Sequence, residues 1–518
     1  MSSRTSRLFR NIASNWVAIG VNLVLSFFLA PFVVNSLGAN LYGIWAVAMQ
    51  FTGYLYLMDF GVRDSLIRYT AKYRTTGNDL ALGRILSVAL LIYVPVFLCA
   101  MLVTAGVAYA FPYVADIGDA DAAAARMTVF LVGASISSTF LFNIYSGLLQ
   151  GLQRFDVANA LGIFIGVLRA GLVVWVLSSG YGIVGLAWMQ LGVTVLGGVL
   201  TFFMAQRLMT AVGLSLRPRR VSGRKLRALL RLVSGYSIYV FINNIGQKLI
   251  FASDAIVISI FMPIAAVTYY AIAGNLIEYL RTLVAATAQV FNPLASEYAA
   301  RHDQAGLRML LLRSTRLMLI VGLPVIAAYV MLGEVFIGLW MGPEYAIEAG
   351  VVLVILALTQ ILSCPHNSVA SILYGIGKHR TLAFMRVGEA VANVILSVAL
   401  VGPLGIKGVA LGTAIPHVIV IGVLLPLYAC RLLGISWWTY VKESLTGPLL
   451  NMLPFLTCAW LIKHYAVPTS LLEFFAIITG LTVFYLITGY GLSLRADERA
   501  VIRSNAARLL SRFNRAGG

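Results

Sequence analysis

Ionisable residues inside apolar stretches are the side chains of this sequence most able to do chemistry. Lys248 and Glu278 lie at about equal distances from the turn at 262–265, which places both near the middle of neighbouring apolar segments. A charge at the bilayer centre costs about 2.5–3.5 kcal/mol on insertion scales, so such residues usually face a polar cavity or one another. The pair therefore indicates either a structural salt bridge between adjacent helices or a binding site, and both interpretations stay open.

Polar side chains accompany this pair on the same two predicted helices. At helical spacing, Asn243, Gln247 and Asp254 share one face, while Asn275 and Glu278 share another. Arg281 follows Glu278 by three residues and could compete for its carboxylate. The candidates for substrate binding are Arg169, Lys248, Arg281, Asn243, Gln247 and Asn275, and the candidates for binding a coupling proton or cation are Glu278, Asp254 and Glu389.

Arg169 lies near the middle of the fifth apolar segment and has no acidic neighbour in sequence. A guanidinium group binds phosphate bidentately, so an arginine at this depth is a candidate for an anionic substrate group. The alternative is a structural ion pair that fixes helix register. Its counterpart in an internal repeat is about Asn393, one turn from Glu389.

Four charged residues gather at the cytoplasmic end of the second predicted span. They form either an interfacial cluster that closes an inner gate or an ordinary solvated helix end, and the pattern does not favour one over the other. These gate candidates are Asp59, Arg63, Asp64 and Arg68.

The sequence offers no pattern for catalysis, for a cofactor or for a metal. The five histidines lie far apart without an HExxH motif, and the four cysteines show no ligand spacing. The string Gly375 to His379 lacks the spacing and hydroxyl of a phosphate-binding loop, so we expect no ATP hydrolysis. The outer loops are short, the longest running from about 112 to 123, which leaves no room for a catalytic domain and disfavours a membrane polymerase or ligase.

The elements that must position these residues are membrane-spanning helices. Hydrophobic residues make up 60% of the 518 and charged residues 11%, whereas soluble domains carry about 25% charged residues. The apolar runs are long enough to cross a bilayer at about 1.5 Å per residue, and the first is expected to be a retained helix rather than a cleaved signal. We predict an all-α protein with about fourteen spans near 9–35, 41–63, 85–112, 124–150, 156–179, 183–206, 233–262, 265–290, 309–333, 346–375, 380–401, 405–430, 447–467 and 470–494.

The distribution of Lys and Arg predicts the orientation, because both residues gather in cytoplasmic loops. With both termini inside, nearly all basic residues fall in cytoplasmic segments, and the predicted outer loops hold about two, Lys407 and Lys463. This bias accounts for the net charge of +19 without a nucleic-acid partner. The residues from 495 to 518 alternate arginines with apolar residues, which favours an amphipathic cytoplasmic tail on anionic lipid headgroups.

Two stretches about 224 residues apart are alike. LLQGLQRF followed by GIVGLAW matches ILYGIGKH followed by GIKGVAL, which pairs Gly151 with Gly375 and Gly182 with Gly405. Each half holds six spans, so the two copies form a parallel repeat, the layout of a rocking transporter. The predicted domains are a first lobe at 1–206, a basic cytoplasmic linker at 207–232, a second lobe at 233–446, an additional hairpin at 447–494 and the tail at 495–518.

Two motifs near the start, PFVVNSLGANLYGIWAV from Pro31 and YLMDFGVRDSLIRYTAKY from Tyr56, resemble Wzx-type polysaccharide flippases. These belong to one superfamily with MurJ lipid II flippases and MATE drug exporters. The resemblance covers most of the first twelve spans and implies two six-helix lobes forming a V around a cationic cavity. Many Wzx members have twelve spans, whereas this chain shows about fourteen, as MurJ does. MurJ-like proteins carry cavity arginines in the first two helices, whereas Arg4, Arg7, Arg10 and Arg63 here lie at helix ends, which favours a polysaccharide cargo.

The resemblance implies a flippase of the bacterial inner membrane that moves undecaprenyl-pyrophosphate-linked oligosaccharide to the periplasmic leaflet by alternating access. Membrane lipids, a coupling proton or cation and the polysaccharide polymerase machinery are the other expected partners. The alternatives are a MurJ-like lipid II flippase and, with less support, a MATE-type multidrug exporter. A drug exporter needs an acidic cavity, and the first predicted lobe has no acid deep within a span.

Overall fold

A computed structural model describes residues 2–59, 61–211, 253–288, 291–494 and 498–500, with Gly213, Gly223 and Arg503. Side chains are described from residue 14 onward, apart from those of Asp64, Arg74, Asp79, Asn292 and His379. Nearly all of this part of the chain is helical, and ten of its helical stretches are long and apolar enough to cross a membrane. The prediction of an all-α membrane protein is thereby confirmed.

Sixteen α-helices of the described residues are labelled in chain order, and residues 253–261 are also helical. Three short helices of other types interrupt the α-helices. The first of the three is a 3₁₀ helix at Tyr54–Asp59, and the others are π-helices at Val418–Leu424 and Val441–Leu445. The α-helices are α1 Ser2–Gly53, α2 Val62–Thr76, α3 Asp79–Val114, α4 Asp119–Gly151, α5 Phe155–Ser178, α6 Gly182–Ala211, α7 Ala265–Ala288, α8 Phe291–Ala300, α9 Gln304–Trp340, α10 Pro343–Ser363, α11 His366–Gly375, α12 His379–His417, α13 Leu425–Leu433, α14 Trp437–Tyr440, α15 Thr446–Tyr465 and α16 Leu471–Leu492.

Two long helices break at a glycine where the sequence predicts an outer turn. Gly38 divides α1 with φ 74°, and Gly405 divides α12 with φ 59°. Glycine tolerates a positive φ without a steric penalty, so the chain can reverse there while hydrogen bonding continues on both sides. The count of fourteen spans stays a prediction, because the predicted span 233–262 lies outside the described residues as far as residue 252.

The repeat is visible in the backbone at the inner turns. Gly77 and His302, about 225 residues apart, both have positive φ, at 62° and 55°. The next residue in each copy caps the following helix: Asn78 Oδ1 accepts from the Ala81 N–H at 2.9 Å, and the Asp303 side chain accepts at 2.8 Å from the N–H three residues on. Side chains of this type are favoured N-caps.

The later turns of each half repeat the same conformations. Gln153 has φ 57°, which is rare for a residue with a side chain, and its counterpart Gly377 has φ 74°. Gly182 and Gly405, paired from sequence, both have φ 59°. These matching positions make the internal repeat a property of the fold as well as of the sequence.

Each half also contains a short helix that the sequence analysis did not predict. α2 packs on the end of α4 at Gly151, where a Cβ atom would lie 2.5 Å from Cβ of Thr70. α8 packs in the same manner on the end of α11 at Gly375, where a Cβ atom would lie 3.0 Å from the carbonyl oxygen of Ala295. The first repeated glycine therefore permits a close approach between a span and a short inner helix.

Contacts divide the chain into two compact units. The first comprises Met1–Ala271 with Arg386–Val409, and the second comprises Ile272–Met385 with Ala410–Gly518. The first unit thus takes in stretches of the predicted second lobe, and the predicted domain boundaries stay predictions. A core of Leu66, Tyr93, Phe140, Leu148 and their neighbours lies in the first unit.

In the second unit, the hairpin of α15 and α16 packs on α9. Phe336 and Phe474 lie with ring centroids 4.9 Å apart. Arg316 of α9 is buried, and its Nη1 donates to Oε2 of Glu498 at 2.7 Å while its Nε donates to the backbone oxygen of Glu443 at 2.9 Å. The basic-residue pattern predicts that Glu443 and Glu498 lie in cytoplasmic segments and that Arg316 lies near the cytoplasmic end of its span.

Candidate functional site

One face of α4 is polar along its inner half. Positions 139, 143, 146 and 150 follow helical spacing, and all four side chains are half-buried. Accessible residues on α3 are apolar by contrast, with Leu98 and Leu102 exposed, as a lipid-facing surface requires. This α4 polar face, made of Thr139, Asn143, Ser146 and Gln150, therefore suits a hydrated surface.

Asp59 meets this face at the end of the 3₁₀ helix. The hydroxyl of Tyr93 donates to Oδ1 of Asp59 at 2.5 Å, and Nδ2 of Asn143 donates to the same oxygen at 3.4 Å. Tyr93 is fully buried and stacks on Phe140 with ring centroids 6.3 Å apart. The carboxylate is therefore held in one orientation by donors from α3 and α4.

Arg169 of α5 is half-buried, and its buried Nε has no hydrogen-bond partner among the described residues. Its guanidinium interacts electrostatically with the hydroxyl of Tyr56, which in turn hydrogen-bonds the side chain of Thr139. Tyr56 is itself exposed. Arg169 thus lies near Thr139, the first residue of the α4 polar face, and its Nε–H donates to none of the described protein groups.

The other gate candidates do not gather around Asp59 in the described contacts. Arg68 is exposed and lies 6.0 Å from the ring centroid of Tyr69 on its own helix. Arg63 is half-buried, with a buried Nε that has no partner among the described residues. The side chain of Asp64 lies outside the described residues. An inner gate stays a prediction.

A second polar group in the first unit contains Asp254. Its Oδ2 accepts a 2.5 Å hydrogen bond from the hydroxyl of Tyr270, and the preceding residue, Ser253, donates to Oδ1 of Asn393 at 3.1 Å. Asp254, Ser253 and Asn393 are all buried. The repeat counterpart of Arg169, Asn393, therefore belongs to a buried hydrogen-bond network.

Glu389 is fully buried and pairs with Arg386 at 3.2 Å. The sequence analysis missed Arg386, although its position three residues before Glu389 is the spacing at which helical side chains meet. Both side chains are removed from solvent, so each neutralises the other. This geometry favours a structural pair, and the role of Glu389 in ion coupling stays a prediction.

In the second unit, Arg281 reaches across to α10, where its Nε lies 3.5 Å from Oε1 of Gln360. Glu278 is exposed, and Asn275 is half-buried. The remaining candidates, Lys248, Asn243 and Gln247, lie outside the described residues, and so does the predicted pair of Lys248 with Glu278.

The described residues contain no group of three His, Cys, Asp or Glu side chains that could hold a metal ion. The four cysteines are free thiols: Cys364 and Cys430 are buried, Cys458 is half-buried and Cys99 is exposed.

Sequence reasoning missed Tyr56, Tyr93 and Asn143 as well. Helical spacing of polar residues in α4 was the signal that could have identified Asn143.

The chain matches one protein family and is similar to two curated proteins. A model of the family described as "Polysaccharide biosynthesis protein" matches residues 8–299. The membrane protein EpsK of Bacillus subtilis, described as uncharacterized, is 24% identical over 445 residues, 85% of this chain and 86% of EpsK. The probable low-salt glycan biosynthesis flippase Agl15 of Haloferax volcanii is 26% identical over 185 residues, 36% of this chain and 39% of Agl15.

Solved structures show the fold. The lipid II flippase MurJ in an inward closed conformation matches with a TM-score of 0.71 at 16% identity, covering 92% of this chain and 96% of MurJ. An inward-facing multidrug resistance MATE transporter of the MOP superfamily matches with a TM-score of 0.67 at 14% identity, covering 82% and 96%. The MurJ match covers more of the chain than the MATE match does.

Proposed function

We propose, from the premise that the chain belongs to the polysaccharide biosynthesis protein family and has a fold like that of MurJ and MATE transporters, that it flips a lipid-linked saccharide. The cargo is an undecaprenyl-pyrophosphate-linked oligosaccharide, moved from the cytoplasmic to the periplasmic leaflet by alternating access. Membrane transport rather than catalysis is the coarser activity that the family and fold support.

The observation that carries this proposal is Arg169. Its Nε is buried without a partner among the described residues, and it lies beside the α4 polar face rather than beside an acid that would neutralise it. A guanidinium group holds a pyrophosphate through paired hydrogen bonds and remains charged at any physiological pH. In this proposal Arg169 binds the pyrophosphate while the polyprenyl tail stays in lipid. Arg281 and Lys248 are further candidates for contact with an anionic group.

We propose that one of three acids, Asp254, Glu278 or Glu389, binds the proton or cation whose movement drives transport. Asp254, bonded to Tyr270, is the best candidate, because a buried carboxylate that shares a short hydrogen bond with a hydroxyl can bind a proton or a small cation. Glu278 is exposed and is the second candidate. Glu389 ranks below both because Arg386 already neutralises it.

Deleting the gene in its host tests the function. The deletion strain should lose a surface polysaccharide and accumulate its lipid-linked repeat unit. The wild-type gene should reverse both changes, whereas a gene carrying Arg169→Ala should not. A deletion strain that keeps its surface polysaccharide and instead becomes sensitive to cationic drugs would favour a drug exporter. Accumulation of lipid II would favour a peptidoglycan precursor as the cargo.

A further inference from the structure

We propose that the α4 polar face, together with Asp59 and Tyr56, is a saccharide subsite that recognises the first sugars of the cargo, separate from the phosphate contact at Arg169. This inference rests on the proposed function and refines it. Within the first unit, one lipid-linked substrate is then bound by a cationic contact to its pyrophosphate and by a separate hydrogen-bonding contact to its sugar hydroxyls.

The chemistry of the side chains supports this subsite. A sugar offers hydroxyl groups that donate and accept at once, so it is matched by carboxylates, amides and hydroxyls rather than by isolated cations. The α4 polar face supplies one amide from Asn143 and hydroxyls from Thr139 and Ser146, with the amide of Gln150 one turn below. Asp59 adds a carboxylate at the level of Asn143.

The α4 polar face is accessible. These side chains are half-buried, whereas Phe140, Ile144, Gly147 and Leu148, which alternate with them along the helix, are buried. Ser135, one turn before Thr139 on the same face, is instead buried and hydrogen-bonds Thr194 at 2.8 Å, so the accessible stretch of this face begins at Thr139. A polar face left accessible inside an apolar bundle fits a polar ligand.

Tyr93 holds the carboxylate of Asp59 in place from the core. Tyr93 touches no accessible surface, yet its hydroxyl fixes Asp59 through a 2.5 Å hydrogen bond from inside the core. Such an arrangement keeps a binding group oriented before the ligand arrives, which lowers the entropic cost of binding. Tyr93 is therefore a positioning residue, and Asp59 is the group that meets the sugar.

Tyr56 joins the two contacts. Its hydroxyl forms a hydrogen bond with Thr139 and interacts electrostatically with Arg169. The Tyr56 side chain is exposed. An aromatic ring with a polar tip can cover the apolar face of a sugar while its hydroxyl stays bonded. The order Arg169, Tyr56, Thr139, Asn143 then matches the order of pyrophosphate and sugars along the cargo.

The test compares two ligands on the purified full-length protein in lipid nanodiscs. One is undecaprenyl pyrophosphate, and the other is the glycosylated undecaprenyl pyrophosphate extracted from a strain that lacks this gene, with binding measured by native mass spectrometry. Asn143→Leu replaces the amide with an apolar side chain of similar shape, and Asp59→Asn removes the negative charge and one acceptor oxygen. Each should weaken binding of the glycosylated lipid about tenfold or more, the loss of about one good hydrogen bond to a charged group, and leave undecaprenyl pyrophosphate within about twofold.

Three further variants sharpen the result. Arg169→Ala should weaken the binding of both lipids, and Ser135→Ala should weaken the binding of neither. Tyr93→Phe removes the hydroxyl that orients Asp59 while its ring still fills the core, so it should reproduce the selective loss of Asp59→Asn. Equal losses for both ligands, or no loss with Asn143→Leu and Asp59→Asn, would overturn the saccharide subsite while leaving the flippase proposal standing. If the wild-type protein bound neither lipid, the proposed function itself would be wrong.

Discussion

At the scale of single residues, this chain accommodates charges within its membrane spans in two ways. Glu389 is fully buried and is neutralised by Arg386 at 3.2 Å. Arg169 is half-buried, and the described residues give its Nε no partner. A neutralised buried pair mainly maintains structure, whereas an incompletely satisfied cation retains binding capacity. Mutation of the pair should therefore lower stability, whereas mutation of Arg169 should lower transport with little effect on stability.

Arg169→Ala should abolish most export with little effect on folding, because it removes a cation that no described acid depends on. We expect export of the surface polysaccharide to fall at least about tenfold, the effect of losing about 1.4 kcal/mol of binding. Arg169→Lys should restore only part of it, since an ammonium lacks the bidentate geometry. Export is measured as surface polysaccharide per cell at matched protein level. The control is Arg154→Gln at the start of the same helix, whose partly exposed pair with Asp156 should matter little.

Glu389→Gln should lower stability, because it leaves Arg386 buried without its counter-charge. Breaking such a pair costs about 3–5 kcal/mol, and replacing both members with apolar residues is often neutral. The single variant should therefore melt at a lower temperature in detergent than wild type, and Arg386→Met with Glu389→Leu should recover most of the difference. Glu297→Gln, which breaks an exposed pair with Arg301, serves as the control.

The contrary result at this position would identify a coupling acid. If Glu389→Gln melted like wild type and transport lost its dependence on pH, Glu389 would be the site of proton coupling and the structural interpretation would be wrong.

At the scale of elements, the sequence predicted the apolar helices and missed what lies at their ends. Long apolar runs and turn glycines located the breaks at Gly38 and Gly405, since hydrophobic length and positive φ are local properties. α2 and α8 escaped prediction because they are amphipathic and are stabilised by packing on a span. The contact of Asp59 with Tyr93 also escaped it, because the two residues lie 34 positions apart.

The packing of α2 on α4 predicts intolerance at one glycine and tolerance at another. Gly151→Ala places a Cβ atom 2.5 Å from Thr70 and 2.9 Å from the carbonyl oxygen of Ile67, so the short helix must move. Gly162→Ala on α5 meets no atom within 4 Å and should be neutral or stabilising by up to about 1 kcal/mol. We expect Gly151→Ala to reduce the yield of monodisperse protein in size-exclusion chromatography. Equal yields for the two variants would contradict this packing.

At the scale of the whole molecule, the bias of basic residues predicts that both termini lie in the cytoplasm. The contacts of Arg316 join α9 to the stretch around Glu443 and to Glu498 after the last helix, so these segments meet on one side, whichever side that is. A repeat of six spans also returns each half to the side on which it starts. Sequence could not predict which residues each compact unit contains, because long-range packing decides that division.

Cysteine labelling tests this orientation directly. In a background with the four native cysteines replaced, Asp119→Cys at the start of α4 should react with a membrane-impermeant maleimide in intact cells. Thr75→Cys at the exposed end of α2 should react only after permeabilisation. The reverse pattern would show that the chain inserts in the opposite orientation.

Reconstitution tests most directly whether this chain moves a lipid-linked saccharide across a bilayer. Purified protein in proteoliposomes containing fluorescent undecaprenyl-pyrophosphate-linked oligosaccharide should make lipid from the inner leaflet accessible to an added lectin. Arg169→Ala should slow this at least about tenfold, by the same loss of phosphate binding. If wild-type vesicles exposed no more lipid than empty vesicles, or if lipid II moved and the saccharide cargo did not, a saccharide flippase function would be contradicted.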